Sequence, residues 1–163
     1  MPPNEPAPRV PAVAAAACGA VGPLYVAIFA VPPLIPTFVE RLGISHAEAG
    51  LLMSAFTFAY AVASPVAGAI ADRIGPPRAV VAGLLLCGLA TLAFALAESF
   101  AALLVLRAVI GLSASLIYAP GIVLVLSVIP RERASAVGWF SSALYIGIAT
   151  SYLATPLVRA AAG

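Results

Sequence analysis

One residue capable of chemistry lies in an unusual place. Arg107 is the only charge within the apolar stretch from Phe100 to Ile129. An Arg at the centre of a bilayer costs roughly 2.5–3.5 kcal/mol on insertion scales, so a charge inside a spanning segment is by default a candidate functional residue. Its guanidinium could bind or attract an anionic group. The alternative is that the long side chain reaches the outer headgroups.

A second group of charges lies in the segment GAIADRIGPPR, residues 68–78. Gly68 lies one turn before Asp72, so we expect another helix to approach closely there. Asp72, Arg73 and Arg78 mark a membrane interface, and Gly75 with the two prolines after it predicts a tight turn. Positive charge near a cytoplasmic surface explains the arginines equally well, so these residue types alone indicate an interface and no particular function.

Four tyrosines fall inside apolar stretches, although membrane tyrosines usually concentrate at the interfaces: Tyr25, Tyr60, Tyr118 and Tyr145. A buried hydroxyl needs a hydrogen-bond partner, so these are candidates for lining a polar cavity, and ordinary helix packing is the alternative. The sequence has no nucleophile–base pair, phosphate loop or metal-ligand cluster. We therefore expect no enzyme activity, no cofactor and no metal.

The composition indicates what kind of fold must position these residues. Of 163 residues, 63% are hydrophobic and 9% charged, against roughly 45–50% and about 25% in an ordinary soluble domain. A soluble fold of this size could not bury so much apolar surface, which disfavours a soluble enzyme. The net charge of +2 is too small to indicate a nucleic-acid partner. We therefore expect the chain to lie in a lipid bilayer.

Charged residues divide the chain into five apolar runs, each long enough to cross a hydrocarbon core, which takes roughly 20 helical residues. The runs cover residues 11–39, 49–71, 79–97, 100–129 and 134–158. They do not alternate as barrel strands do, and helices satisfy their own backbone groups in lipid. The sequence predicts an all-α, polytopic membrane helix bundle of five transmembrane helices over residues 11–163, after a disordered cytoplasmic tail of residues 1–10.

Arginine placement predicts the orientation of this bundle. With alternating helices, one side carries Arg9, Arg73, Arg78, Arg131 and Arg133, and the other carries Arg41 and Arg159. This bias predicts a cytoplasmic N-terminus, and the C-terminus of this segment outside, in the cytoplasmic (inner) membrane. Prolines crowd the first run and recur in later ones, and each is expected to kink its helix unless it lies near an end: Pro23, Pro32, Pro33, Pro36, Pro65, Pro120 and Pro156.

The segment at 68–78 resembles the G-x-x-x-D-R-x-G signature of the major facilitator superfamily. It matches at Gly68, Asp72, Arg73 and Gly75, and departs at residues 76 and 77, where the family usually has basic residues and this chain has prolines. The run RAVIGLS at 107–113 is similar to the family's R-x-x-x-G-x-G pattern, with serine at the second glycine. With the loops ERLGISHAEAGLL and IPRERA, the resemblance covers most of residues 11–158.

The resemblance implies a secondary transporter that moves a small solute by alternating access. It assigns the matched residues of 68–78, with Arg78, to a cytoplasmic gate, and Arg107 and Gly111 to coupling or substrate binding. The matching arginine is associated with proton-coupled members. No acidic residue lies within any apolar run to carry a proton, so Arg107 could instead bind an anionic solute. Proton coupling and an anionic solute are both kept as alternatives. Thr155-Pro156 replaces a glycine-rich Gly-Pro pattern, which disfavours drug export.

The family is built from six-helix halves, each made of two inverted three-helix repeats. Residues 63–67 (ASPVA) and 154–158 (ATPLV) occupy equivalent positions in the two repeats. Five helices leave the sixth helix and the second half missing. We therefore expect a fragment of a longer carrier, or assembly with another chain. The alternative function is a non-transporting membrane assembly protein built on the same scaffold.

Overall fold

Five helices make up most of residues 21–22, 24–128 and 133–162, the part of the chain that the computed structural model describes. They are α1 (Val31–Leu42), α2 (His46–Ile74), α3 (Pro76–Ala95), α4 (Phe100–Val128) and α5 (Arg133–Ala162). α2 to α5 are each long and apolar enough to span a membrane. α1 reaches this length together with the helical residues before it, and they form the first span, Leu24–Leu42. The prediction of an all-α bundle with five transmembrane helices is confirmed. The predicted tail, residues 1–10, lies outside the described residues.

The helices extend past the apolar runs where local signals allow it. α2 begins at His46 because Ser45 and Glu48 form a capping box: the Ser45 hydroxyl accepts from the Glu48 N–H, and the Ser45 N–H donates to the Glu48 carboxylate. α2 ends before Gly75, which has φ of 90°. α3 begins immediately at Pro76, where the missing proline N–H costs nothing. The turn between α2 and α3 is therefore shorter than predicted, since both prolines already belong to α3.

The first span is broken near its middle. Helical residues 24–28 are followed by a turn at Phe29–Ala30, and α1 begins at Val31. Pro32 has no N–H, so the Ile28 carbonyl lacks the donor that a continuous helix would provide four residues later. The crowded prolines thus open this helix, whereas the other prolines lie inside continuous helices: Pro65 in α2, Pro120 in α4 and Pro156 in α5.

α4 lies at the centre and packs against α2 and α3 at two glycines. A Cβ at Gly111 would overlap the Phe56 carbonyl of α2, and a Cβ at Gly83 would lie 3.0 Å from the Ser113 carbonyl of α4. α5 approaches the chain just before the first span, where a Cβ at Gly147 would lie 2.6 Å from the Gly22 carbonyl. Such close backbone approach is typical of packed membrane helices.

The outer faces of the bundle carry large apolar side chains. Phe58 on α2 is 73% exposed, Leu89 on α3 is 68% exposed and Leu153 on α5 is 70% exposed. Contiguous exposed apolar surface of this kind suits lipid contact and not water. The chain is a multi-pass membrane protein.

Candidate functional site

Arg107 closes the break in the first span. Its side chain is only 1% exposed, and its Nη1 donates a 2.8 Å hydrogen bond to the Ile28 carbonyl. This is the carbonyl that loses its helical donor to Pro32, so the guanidinium replaces that donor. The side chain turns into the bundle, and the alternative in which it reaches the outer headgroups is wrong.

Two aromatic rings surround the guanidinium. The Arg107 Cζ lies 5.7 Å from the centroid of the Phe56 ring and 5.3 Å from that of Phe94. Contacts of this kind stabilise a cation by about 0.5–2 kcal/mol. Nη2 points to the Met53 sulfur at 3.7 Å. Nε has no hydrogen-bond partner among the described residues, so this buried cation retains a donor for a further ligand.

Gly111 positions part of this site. It lies four residues after Arg107 on α4, so the two residues share one face of the helix. The absence of a side chain lets the backbone of α2 approach at Phe56, whose ring then lies beside the guanidinium. The contact leaves no room for a ligand next to Gly111, so this glycine packs helices together and the structure gives it no direct contact with a solute.

Three of the four candidate tyrosines come together and one does not. Tyr25 stacks on Phe29 at 6.2 Å, and Tyr60 stacks on Phe56 at 6.4 Å. Phe29 meets Phe56 edge-on at 6.1 Å, which joins the two pairs into one row of rings beside the arginine. Tyr118 packs against the same cluster as Tyr25. The fourth, on α5, is 67% exposed and lies apart: Tyr145.

The turn between α2 and α3 forms a second, exposed polar region. Asp72, Arg73 and Arg78 are all exposed. Within the described ranges, Asp72 has neither a hydrogen bond nor an ion pair. Gly75 has positive φ and donates its N–H to the last turn of α2. No atom of the described chain outside its own helix would lie within 4 Å of a Cβ at Gly68, so the expected close approach there finds no helix among the described residues.

Several residues of the Arg107 site were not predicted from the sequence. Pro32 carried a signal, because a proline four residues after Ile28 must leave that carbonyl without its helical donor. Phe56, Phe94 and Met53 carried none, since α2 and α3 are apolar on their lipid-facing and core-facing sides alike. Only the packing of the helices brings these side chains to the guanidinium.

Comparison with known proteins adds independent evidence. The family model of the Major Facilitator Superfamily matches residues 17–163. Quinolone resistance protein NorA of Staphylococcus aureus is 29% identical over 126 residues, which cover 76% of this chain and 32% of that protein. Probable anion transporter 3, chloroplastic, of Arabidopsis thaliana is 36% identical over 127 residues, which cover 76% and 25%. The chain thus spans between a quarter and a third of the length of these curated relatives.

The family match includes the segment at 68–78 and the arginine–glycine pair of α4, so the resemblance found in the sequence is confirmed. It extends over nearly all of the chain, including each of the five helices. The chain therefore belongs to the major facilitator superfamily.

Proposed function

We propose that this chain is part of a secondary active transporter that moves a small solute across the inner membrane by alternating access. The hydrogen bond from Arg107 to Ile28 carries the proposal. Broken helices are tolerated in membranes where they line a cavity, and transporters place solute sites at such breaks. A carbonyl held by a side chain from another helix can be released when that side chain finds a different partner.

The chemistry of the site favours an anionic solute. Arg107 is the only buried charge in the described spans, and its Nε is free to donate. An anion that draws the guanidinium away from Ile28 would loosen the first span from α4. A ligand shifts such an equilibrium only by its difference in affinity for the two arrangements. One matched relative is named as an anion transporter, which agrees with this chemistry.

Coupling to protons would need a different residue. Arginine keeps its proton at any physiological pH. Within the described spans no carboxylate is buried. We therefore assign Arg107 to solute binding, and proton coupling would use a carboxylate beyond the described spans.

We assign the exposed turn to the cytoplasmic gate, with the N-terminus of the chain in the cytoplasm. Gly68, Asp72, Arg73, Gly75 and Arg78 form this region, and its charges are free to pair with a part of the transporter outside the described residues. A contact made in one state and broken in the other biases the two populations by its own free energy. The gate would thus act without touching the solute.

Transport by the complete protein in proteoliposomes tests the solute-binding role. The probes are radiolabelled phosphate, chosen as a simple inorganic anion, and a fluorescent quinolone, because the names of the matched relatives mention an anion and a quinolone. We expect Arg107→Gln to lower phosphate uptake at least about tenfold, the factor that corresponds to about 1.4 kcal/mol. Arg133→Gln, at an exposed arginine at the start of α5, is the matched control.

Unchanged phosphate uptake by a folded Arg107→Gln protein would remove the arginine from the mechanism. If the wild-type protein accumulates neither probe under imposed ion gradients, the proposal of transport fails. The non-transporting assembly protein then becomes the better description.

Site-directed labelling tests the gate. In a protein lacking Cys18 and Cys87, the inward-facing reporter is Tyr118→Cys, at a half-buried position in the half of α4 that the proposed orientation places toward the cytoplasm. We expect Asp72→Asn to speed its labelling from the cytoplasmic side several-fold, because the closed state loses a contact. Glu48→Gln, at an exposed carboxylate at the other end of α2, is the control. Equal labelling rates with and without Asp72→Asn would contradict the gating role.

A further inference from the structure

A cavity lies between the first span and the end of α3, beside the Arg107 site, with which it shares Phe94. Its volume is about 440 Å³, within the range of roughly 300–1,000 Å³ usual for small-molecule sites. Most of its lining is apolar and comes from both helices, with Ala30, Val31, Leu34 and Phe38 on one side and Ala95 and Ala97 on the other.

Two threonine hydroxyls line this cavity, Thr37 on α1 and Thr91 on α3. The Thr91 hydroxyl interacts with the Cys87 thiol one turn earlier, whereas the Thr37 Oγ1 is buried without a hydrogen bond to any described residue. Threonines in helices commonly bond to a carbonyl of the preceding turn, as Thr57 does to the Met53 carbonyl at 3.0 Å. Buried polar groups are nearly always paired. The unpaired Thr37 hydroxyl therefore indicates a ligand in the cavity.

The lining of the cavity contains one charged residue, Arg41 in the last turn of α1. The exposed carboxylates of Glu40 and Glu98 are not part of the lining. Phe94 lines the cavity, and its ring is the one that lies 5.3 Å from the Arg107 guanidinium. The Arg107 guanidinium is thus a second cation close to the cavity, in contact with the Phe94 ring that lines it.

The spacing of the polar groups matches one anionic head group. Thr37 and Arg41 are four residues apart, so they lie on the same face of α1, one turn apart. An oxyanion at that face could accept from both, and Thr91 lies across the cavity on α3. The deeper lining is apolar as far as Ala27. One cationic group and one cavity of this size suit a single acyl chain better than a two-chain lipid.

We propose that this cavity binds a single-chain amphipathic anion of the fatty carboxylate class. The carboxylate binds to Arg41, Thr37 and Thr91, and the chain fills the apolar part as far as Phe94. The site is separate from the Ile28–Arg107 contact. It can therefore be present whether or not the protein transports an anion through Arg107.

Fluorescence titration of the complete protein in nanodiscs of zwitterionic lipid tests the proposal. The probe is dansyl-labelled undecanoate, and its uncharged methyl ester is the matched ligand. We expect the acid to bind several-fold more tightly than the ester. Arg41→Gln should remove this preference through a loss of about threefold in acid affinity, the size expected for one partly solvated ion pair. Arg133→Gln should keep the preference.

A second pair of variants tests the hydroxyls independently of charge. Thr37→Val should weaken acid binding about threefold, as expected for loss of one hydrogen bond, and it should raise the melting temperature of the empty protein because it removes an unpaired buried hydroxyl. Thr57→Val, which loses a hydroxyl already bonded to backbone, should do neither.

Four outcomes would overturn the proposal. Equal affinity of the wild-type protein for acid and ester would exclude an anion site, and so would an unchanged preference in both Arg41→Gln and Thr37→Val. Failure of both probes to bind would mean that the complete protein fills the cavity with its own chain. A co-purified phospholipid that the acid does not displace, identified by mass spectrometry, would replace the fatty carboxylate as the occupant.

Discussion

Arg107 and the turn between α2 and α3 both carry family motif residues, and their surroundings are opposite. The guanidinium of Arg107 is buried, hydrogen-bonded to Ile28 and flanked by two aromatic rings. The charges of the turn, at Asp72, Arg73 and Arg78, are exposed. The first region is assembled within the described helices, whereas the second presents its charges outward.

This contrast separates two ways in which a motif can serve a transporter. A buried motif builds the bundle, so its substitution must change the stability of this chain. An exposed motif acts through a partner, so substitution of its charged side chains should leave stability alone and change the balance between states. Both motifs contain a glycine and an arginine, which allows matched substitutions in the two regions.

The glycine pair should give the largest difference in stability. Gly111→Ala places a Cβ against the Phe56 carbonyl, which is backbone and cannot easily move, so we expect a loss of about 3 kcal/mol in the free energy of unfolding. Gly68→Ala meets nothing within 4 Å in the described chain and should be stabilising by about 0.5–1 kcal/mol, the usual gain in a helix. Reversible unfolding in mixed micelles measures both. Equal effects at the two glycines would remove the contrast.

The contact between Arg107 and the first span should give the next largest effect, measured as a coupling. Pro32→Ala supplies a backbone N–H that can reach the Ile28 carbonyl, so Arg107 is no longer its only donor. We expect Arg107→Gln to cost about 1.5 kcal/mol less in the Pro32→Ala protein than in the wild type, the value of one charged hydrogen bond. Additive effects of the two substitutions would mean that the arginine does not replace the missing helical donor.

A control substitution uses a proline with no arginine beside it. Pro65 lies inside α2, away from the break in the first span. Pro65→Ala should change the cost of Arg107→Gln by no more than about 0.5 kcal/mol, as for independent sites. A coupling at Pro65 as large as that at Pro32 would indicate a general effect of helix repair.

The sequence predicts these regions where its local patterns have the same meaning in lipid as in water. The five spans follow from charged boundaries, and the start of α2 follows from the Ser45–Glu48 capping box. The break at Ile28 follows from Pro32. The contact with Arg107 does not, because it joins residues 79 positions apart, and a freed carbonyl does not specify its donor.

The inward or outward direction of a side chain was the hardest feature to predict. In water, an amphipathic pattern shows which face of a helix is buried. In lipid both faces are apolar, so nothing distinguished buried Tyr25 from exposed Tyr145. The same limit explains why the contact of Phe94 with Arg107 was not foreseen.

A smaller effect on stability is expected at the backbone of the exposed turn. Gly75 has φ of 90°, a conformation that costs a residue with a Cβ roughly 1–2 kcal/mol. We expect Gly75→Ala to lower the free energy of unfolding by about 1 kcal/mol, although its added Cβ meets only a proline ring atom at 3.9 Å. Gly88→Ala, at an open helical position, is the control and should not destabilise. No loss at Gly75 would mean that the turn adopts another conformation.

The smallest effect on stability, and the most informative, is expected for the charges of the turn. Asp72→Asn and Arg73→Gln remove exposed groups, so each should change the free energy of unfolding by less than about 0.5 kcal/mol. Both should nevertheless alter the labelling rate of the inward-facing reporter, since a gate acts only through the difference between two states. A loss above about 1 kcal/mol for either variant would show that the turn is held together by its charges, and the division between a structural and a gating motif would no longer stand.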